Sequence, residues 1–318
     1  MNGSDTMRAI RYHQYGGPEQ LVLEQIPRPE VQPGAVLVHV RASAVNPVDW
    51  KLRTGAFHQF MPVQFPKTPG LDLAGVVEEI GPGVTGFERG QAVYGLGDGT
   101  NAEYAIAAAS SLAPMPRGLT FDQAASVPLG ALTAWRALFD AADLQPGQRI
   151  LIQGAAGGVG MNAVQLARWK GAHVAGTASA RNLDFIRSLG VEEAIDYLAA
   201  PFETVVRDMD VVLDTVGGDA LDRSLQVLRR GGILVTVAGQ PPQEEAAKRG
   251  IRAAGVGMAD PARTGELLRR FTELIEAGRL RVQVDSVFLL AEAGRAHAQS
   301  QQGHGRGRIV LHVAGADA

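Results

Sequence analysis

The apolar run Arg149-Ile150-Leu151-Ile152-Gln153 leads straight into Gly154-Ala155-Ala156-Gly157-Gly158-Val159-Gly160, and that junction constrains the fold more than any other segment. A short strand followed by residues without bulk makes a tight turn of bare backbone. A helix is read from Met161 through Val164, Leu166, Ala167 and Lys170 until Gly171 stops it, and His173-Val174-Ala175-Gly176-Thr177 reads as the next strand. Strand, glycine turn, helix and strand together make the unit that seats a dinucleotide pyrophosphate. Backbone N–H groups and the positive end of a helix dipole reach a phosphate only where side chains are small. Set against the GxGxxG spacing, Ala155 stands at the first glycine, while Gly157 and Gly160 keep the close-approach and packing roles on either side of Gly158 and Val159.

An acidic residue for the free ribose hydroxyl is expected about twenty residues further on. The second strand instead runs past Thr177 into Ala178-Ser179-Ala180-Arg181-Asn182, with no carboxylate. A carboxylate would repel a 2'-phosphate, whereas Ser179 and Arg181 can donate hydrogen bonds and charge to it, so NADPH is the expected cofactor. Ser179 or Asn182 can equally cap a helix from Asn182 to Leu189 that ends at Gly190, and the two roles are compatible.

With 318 residues, two domains are expected. There is no cysteine, so neither a disulfide framework nor a thiolate metal site can form, and a reducing, cytoplasmic compartment fits. A formal charge of -3 gives no basic excess for nucleic acid. No stretch has the length of a membrane span, and Met1 to Thr6 read as a polar tail without a signal-like apolar core.

Three stretches follow one another. From Met7 to about Leu119 the pattern is β-like, with runs such as Ala35-Val36-Leu37-Val38-His39-Val40 and Leu73-Ala74-Gly75-Val76-Val77 broken by Gly and Pro. From about Phe121 to Asp260 strands and helices alternate: Asp210-Val211-Val212-Leu213-Asp214, a helix from Ala220 to Leu228, then Ile233-Leu234-Val235-Thr236-Val237. Such apolar strands imply a parallel sheet covered on both faces. The last stretch holds an amphipathic helix with Leu267, Leu268, Phe271, Leu274 and Ile275 on one stripe. A strand near Val284 to Phe288, a helix near Glu292 to Gln302 and a strand from Arg308 to Val313 complete it.

Several motifs now occur in a telling order: Asn46-Pro47-Val48-Asp49, Gly70-Leu71-Asp72-Leu73-Ala74-Gly75-Val76-Val77 with Gly81, Gly83 and Val84, the glycine turn, Asp214-Thr215-Val216-Gly217-Gly218, and Gly307-Arg308-Ile309-Val310-Leu311. In this order they resemble the medium-chain dehydrogenase/reductases, and within them the zinc-free NADPH-dependent quinone oxidoreductases, a branch that also includes enone and enoyl reductases. The resemblance implies an α/β protein. A GroES-like β domain would be formed by residues 1–120 and 261–318, and a Rossmann domain, a doubly wound parallel sheet, by residues 121–260. The active site would lie in the cleft between them.

In the zinc alcohol dehydrogenases that the chain also resembles, a Cys and a His would stand at Asn46 and Leu71, and a hydroxyl at Val48. None is present, the cysteine-rich lobe is missing, and the seven histidines show no HxxxH or HExxH spacing. No metal site is expected. Without a Lewis acid, alcohol oxidation is disfavoured. Hydride transfer to a carbon already made electrophilic by conjugation, as in a quinone or an α,β-unsaturated carbonyl, remains open.

By resemblance Asn46 lies near the nicotinamide, where its amide can donate to a carbonyl or to the cofactor, although Asn before Pro is also an ordinary turn residue. Lys51 stands where the bacterial quinone reductases that this chain resembles place a Tyr. It can orient or protonate an enolate, or be a solvated charge. Asp49 and Arg53 have the spacing of a helix-stabilising pair, with a turn acceptor as the other reading of Asp49. The segment Phe57-His58-Gln59-Phe60-Met61-Pro62-Val63-Gln64-Phe65 can line a substrate mouth or form a packed loop. The resemblance further implies cofactor contacts at Thr133 and Tyr197, and at Val216, Gly217, Ala238 and Gly239, which follow strands where ligands bind in open α/β sheets.

The expected activity is therefore NADPH-dependent reduction of a quinone or enone. The alternatives are an enoyl-thioester reductase, with Arg252, Arg263, Arg269 and Arg270 available for a carrier partner, and a non-catalytic NADPH-binding protein of structural or regulatory role. A homodimer is expected, with the edge strand near Ile251 to Val256 pairing with its copy.

Overall fold

The described residues open with Thr6–Arg11 (β1), paired antiparallel with Val22–Pro27 (β2). Ala35–Val45 (β3) leads through Asn46 into the short helix Pro47–Arg53 (α1). Then come Asp72–Ile80 (β4), Ala92–Leu96 (β5), Tyr104–Ala108 (β6), Leu112–Pro114 (β7), Phe121–Ala125 (α2) and Pro128–Trp135 (α3). This computed structural model describes residues 6–257 and 260–313, so the tail expected at the N-terminus lies outside the described residues up to Thr6, which opens β1.

An alternating series follows: Arg149–Ile152 (β8), Gly160–Lys170 (α4), His173–Ala178 (β9), Leu183–Ser188 (α5), Glu193–Asp196 (β10), Phe202–Val205 (α6) and Met209–Asp214 (β11). It continues with Asp219–Ser224 (α7), Leu228–Thr236 (β12), Gln243–Lys248 (α8) and Arg252–Gly255 (β13). Pro261–Glu276 (α9), Val284–Leu289 (β14), Ala293–Gln302 (α10) and Arg308–His312 (β15) complete the described elements. The helix read from Ala220 to Leu228 is shorter than its leucine spacing suggests, because Leu228 pairs with Met209 and joins the sheet.

Two compact units result. The first takes the residues up to Leu129, Asp260–Glu276 and those from Val282 onward; the second takes Gly130–Ala259 and Ala277–Arg281. The first unit thus continues past residue 120 through α2, and the chain crosses into the second within α3.

The first unit is built on a seven-stranded sheet in the order β14-β15-β3-β4-β5-β7, with β6 also on β3. The C-terminal strand β15 lies antiparallel to β3, which is why both ends of the chain share one core. Val36, Val38, Val40, Leu73, Val77, Val93 and Leu311 fill it, all at most 1 % exposed. The amphipathic stripe of α9 is buried against this unit, and the Tyr94 hydroxyl donates to Leu268 O at 2.6 Å.

The second unit is a six-stranded parallel sheet in the order β10-β9-β8-β11-β12-β13. Strand order reverses between β8 and β11, the switch point at which ligands bind in such sheets. The glycine turn leaves β8 at that point. Ile150, Leu151, Ile152, Val212 and Leu234 are fully buried, as expected for central strands covered on both faces. At the far edge β13 has β12 on one side, and among the described residues no strand on the other.

Candidate active site

In the second unit the glycine turn is held by its neighbours rather than by its own side chains. Ala155 N–H donates to Thr177 O at 2.9 Å, and Gly154 N–H donates to Thr177 Oγ1 at 3.1 Å. That hydroxyl donates in turn to Gln153 Oε1 at 2.8 Å. Thr177, 2 % exposed, therefore braces the turn from β9.

A Cβ at Gly160 would lie 2.2 Å from Gly154 O and 2.8 Å from Ala155 Cα, so only glycine lets α4 start against the end of β8. A Cβ at Gly157 would meet Gly154 O alone, at 3.4 Å. Gly160 thus does the packing that the spacing implies, and Gly157 has open space on its Cβ side. Ala155 is buried, while Gly158 and Val159 are half-buried in front of the N-terminus of an eleven-residue helix whose dipole favours anions. This cradle fits a dinucleotide pyrophosphate.

Helix α3 packs on the same turn. A Cβ at Gly130 would lie 2.8 Å from Gly158 O, and half-buried Thr133 stands one helical turn beyond it.

The other residues read as cofactor contacts gather at the C-terminal ends of the parallel strands. Ser179 and exposed Arg181 follow β9, and Tyr197, 40 % exposed, follows β10. Val216, 58 % exposed, and Gly217 follow β11; Ala238 and Gly239 follow β12. The buried Asp214 carboxylate fixes this corner, accepting from Val216 N–H at 3.1 Å, Gly217 N–H at 3.0 Å and Thr236 Oγ1 at 2.7 Å. Gly217 takes φ +77°, and a Cβ there would lie 3.0 Å from Ala238 O, so the two loops touch. Asn182 Nδ2 donates to Ser179 Oγ at 3.4 Å, and the capping read at Ser179 or Asn182 is not seen, since neither side chain accepts a backbone N–H of the helix that follows.

In the first unit, the ends of β3, β4 and β15 build a buried polar cluster. Asn46 Nδ2 donates to Asp72 Oδ2 at 2.8 Å and to Ala44 O at 3.3 Å. Arg308 Nη2 donates to Asn46 Oδ1 and to Asp72 Oδ2, both at 2.6 Å. The second Asp72 oxygen accepts from Leu129 N–H at 2.6 Å, at the start of α3. Asn46, Asp72 and Arg308 are 2 %, 0 % and 5 % exposed. Burial raises the carboxyl of Asp72, and Arg308 opposes that shift.

Asp49 accepts from Asn46 N–H at 2.7 Å and is itself buried, which pushes its carboxyl up to about 7. Of the two readings of Asp49, the turn acceptor is the one seen. Arg53 donates elsewhere, to Gly16 O and Gln301 Oε1.

Lys51 lies with Nζ 5.6 Å from the Trp50 ring centre and 5.5 Å from that of Phe57, an aromatic setting that attracts an ammonium. The aromatic segment beyond it is open at its tip, with Phe60 75 % exposed. Its base is packed, since Phe65 meets Tyr12 and Tyr15 edge to face.

Asp72, Arg308, Gln153 and Asp214 shape these sites, yet spacing alone gave none of them a role. For Asp72, Asp214 and Arg308 the available signal was a lone charge at the end of an apolar strand, which is rarely buried without a partner. Leu71 is half-buried where zinc dehydrogenases would carry a histidine. Among the described residues no group of three or more His, Cys, Asp or Glu is arranged to hold a metal ion.

Comparison with known proteins agrees with this architecture. Residues 32–117 match the alcohol dehydrogenase GroES-like domain, and residues 189–311 match the family described as zinc-binding dehydrogenase. Mouse quinone oxidoreductase is 32% identical, over 97% of this chain and 98% of its own. The NADPH-dependent alkenal/one oxidoreductase of Arabidopsis thaliana chloroplasts is 33% identical, over 96% of this chain and 79% of its own. A pikromycin polyketide synthase component of Streptomyces venezuelae is 38% identical over 88% of this chain, which corresponds to 8% of that protein.

Among solved structures, the quinone oxidoreductase of Coxiella burnetii superposes with a TM-score of 0.87 at 33% identity, covering 97% of this chain and 99% of that one. Mycobacterial Rv1454c, complexed with NADPH, gives 0.87 at 28% identity, covering 96% and 100%. Fold, motif order and full-length similarity agree: the chain belongs to the quinone oxidoreductase branch of the medium-chain dehydrogenase/reductases.

Proposed function

We propose that this protein is an NADPH-dependent reductase of quinones or α,β-unsaturated carbonyls that works without zinc. The observation that carries the reading is the cradle at the switch point, where Gly160 seats the helix and Gly157 leaves the approach open, in a chain similar over its full length to named quinone and alkenal/one reductases. NADPH, when bound, supplies the hydride. The chain's own task is to hold the ring and the acceptor carbon together and to manage one proton and the charge that grows on oxygen.

Ser179 and Arg181 select the phosphorylated cofactor, in a position where no carboxylate opposes it. Asn46 holds the nicotinamide side of the site. Lys51, with an ammonium and no ion pair among the described residues, delivers a proton to the reduced acceptor or orients it. Zinc has no role because Asn46 and Leu71 occupy the positions of its ligands and no cysteine exists to replace them.

The similarity to a polyketide synthase component favours a second reading, reduction of an enoyl thioester. The hydride step is the same and the acceptor differs. A substrate panel with NADPH in excess separates them. Turnover of quinones or short enones with little on a crotonyl thioester is expected. Preference for the thioester selects the second reading, and a protein that binds NADPH but turns over none of them overturns both.

A further inference from the structure

We infer that Asp72 and Arg308 are positioning residues for the reductase reaction, acting through the carboxamide of Asn46. The inference rests on the proposed place of Asn46 beside the nicotinamide. Its geometry comes from strand register. Ile309 stands opposite Val45 across β15 and β3, and Ala44 stands opposite Asp72 across β3 and β4, so the ends of three strands bring Arg308, Asn46 and Asp72 together.

The chemistry of the partners fixes which way the amide faces. A guanidinium only donates and a carboxylate only accepts, so Oδ1 must face Arg308 and Nδ2 must face Asp72. A flipped amide would set donor against donor and acceptor against acceptor in a buried place. Both amide hydrogens are engaged, one by Asp72 and one by Ala44 O. Oδ1 accepts from Arg308, and the capping box at the start of α1 turns the same side chain toward the backbone N–H of Asp49, so the carboxamide is held from every side. It does not act as the donor to a carbonyl that the sequence suggests.

Asp72 cannot be replaced by its amide at no cost, because all three of its partners are donors: Asn46 Nδ2, Arg308 Nη2 and Leu129 N–H. In Asp72→Asn either the bond to α3 or the hold on Asn46 is lost.

The test is a double-mutant cycle on the full chain with Asn46→Ala, Asp72→Asn and the double variant. Arg308→Lys is added as a milder change that keeps the cation without the fork. Each variant is scored by kcat, by KM for a turned-over quinone or enone, by NADPH affinity from fluorescence titration, and by thermal unfolding.

Single variants are expected to lower kcat about tenfold or more while NADPH affinity in the titration changes less than about threefold. In the Asn46→Ala background, Asp72→Asn should lower kcat by less than about twofold, since the residue it positions is already gone. Losses that multiply in the double variant, with Asn46→Ala itself impaired, would overturn the positioning role and leave the site reading standing. An Asn46→Ala variant with wild-type kcat would overturn both. If Asp72→Asn does not fold, Arg308→Lys in the two backgrounds decides by the same rule.

Discussion

Two glycines three residues apart in one turn should fail in different ways when a methyl group is added. At Gly160 the methyl group collides with the Gly154 carbonyl and the Ala155 Cα, both backbone, so helix and strand must separate. Gly160→Ala should therefore destabilise the unliganded protein by about 1–3 kcal/mol, read as a lower Tm without cofactor. At Gly157 the same group meets one atom at ordinary van der Waals distance. Gly157→Ala should keep the unliganded Tm and weaken NADPH binding in a fluorescence titration, because the methyl group enters the space left for the pyrophosphate. Equal behaviour of the two variants would show that the turn does not divide its work in this way. At Arg181 the issue is selectivity. A charge-assisted hydrogen bond contributes roughly 1.5–3 kcal/mol, so Arg181→Ala should reduce the NADPH preference over NADH by about tenfold to a hundredfold. Equal dissociation constants for the two cofactors in the wild type would contradict that role.

At the scale of the element, α1 carries a buried acid with a pH signature. The Asp49 carboxyl, pushed up to about 7 by burial, holds its proton in the folded protein well above the ordinary value of 3.8. Between those values the folded state binds more protons than the unfolded one, so this contribution is complete below about pH 4 and is lost as pH rises through 7. Buried His297 on α10, pushed down to about 3, works in the opposite sense: its contribution is present above the ordinary 6.5 and is lost as pH falls. Asp49→Asn, which mimics the protonated acid, should gain Tm relative to wild type from pH 5 to pH 8. A constant difference across that range would show that Asp49 does not titrate there. The same elements show what the sequence made legible. The glycine turn, Asn46-Pro47 and the parallel strands were readable because each depends on neighbours a few residues away. The helix ending at Ser224 and the Asn46–Asp72–Arg308 cluster were not, since both are decided by strand pairing between distant segments: Leu228 with β11, and β15 with β3 and β4. Asp49 was readable as a turn acceptor, but its pairing with Arg53 was not seen, because Arg53 is drawn to Gly16 O and Gln301 on α10.

For the whole molecule, the edge at β13 carries, among the described residues, no further strand, and a second copy can cover it by symmetric pairing. Sedimentation should give twice the chain mass of 33.6 kDa, and Ala253→Pro, which removes a donor from that edge while the N–H groups of Ala254 and Val256 face β12, should shift it toward one. A single-chain mass for the wild type would rule the pairing out. In the proposed function the reaction is hydride transfer from NADPH to a conjugated acceptor without a metal. The direct measurement uses protein dialysed exhaustively against chelator, with its zinc content determined, given NADPH deuterated at the transferable C4 position and an α,β-unsaturated ketone. Deuterium on the β-carbon of the saturated product, with the rate unchanged by chelation and less than stoichiometric zinc, is the expected result. Turnover that stops on chelation and returns with one zinc per chain, or a product without deuterium, would contradict it.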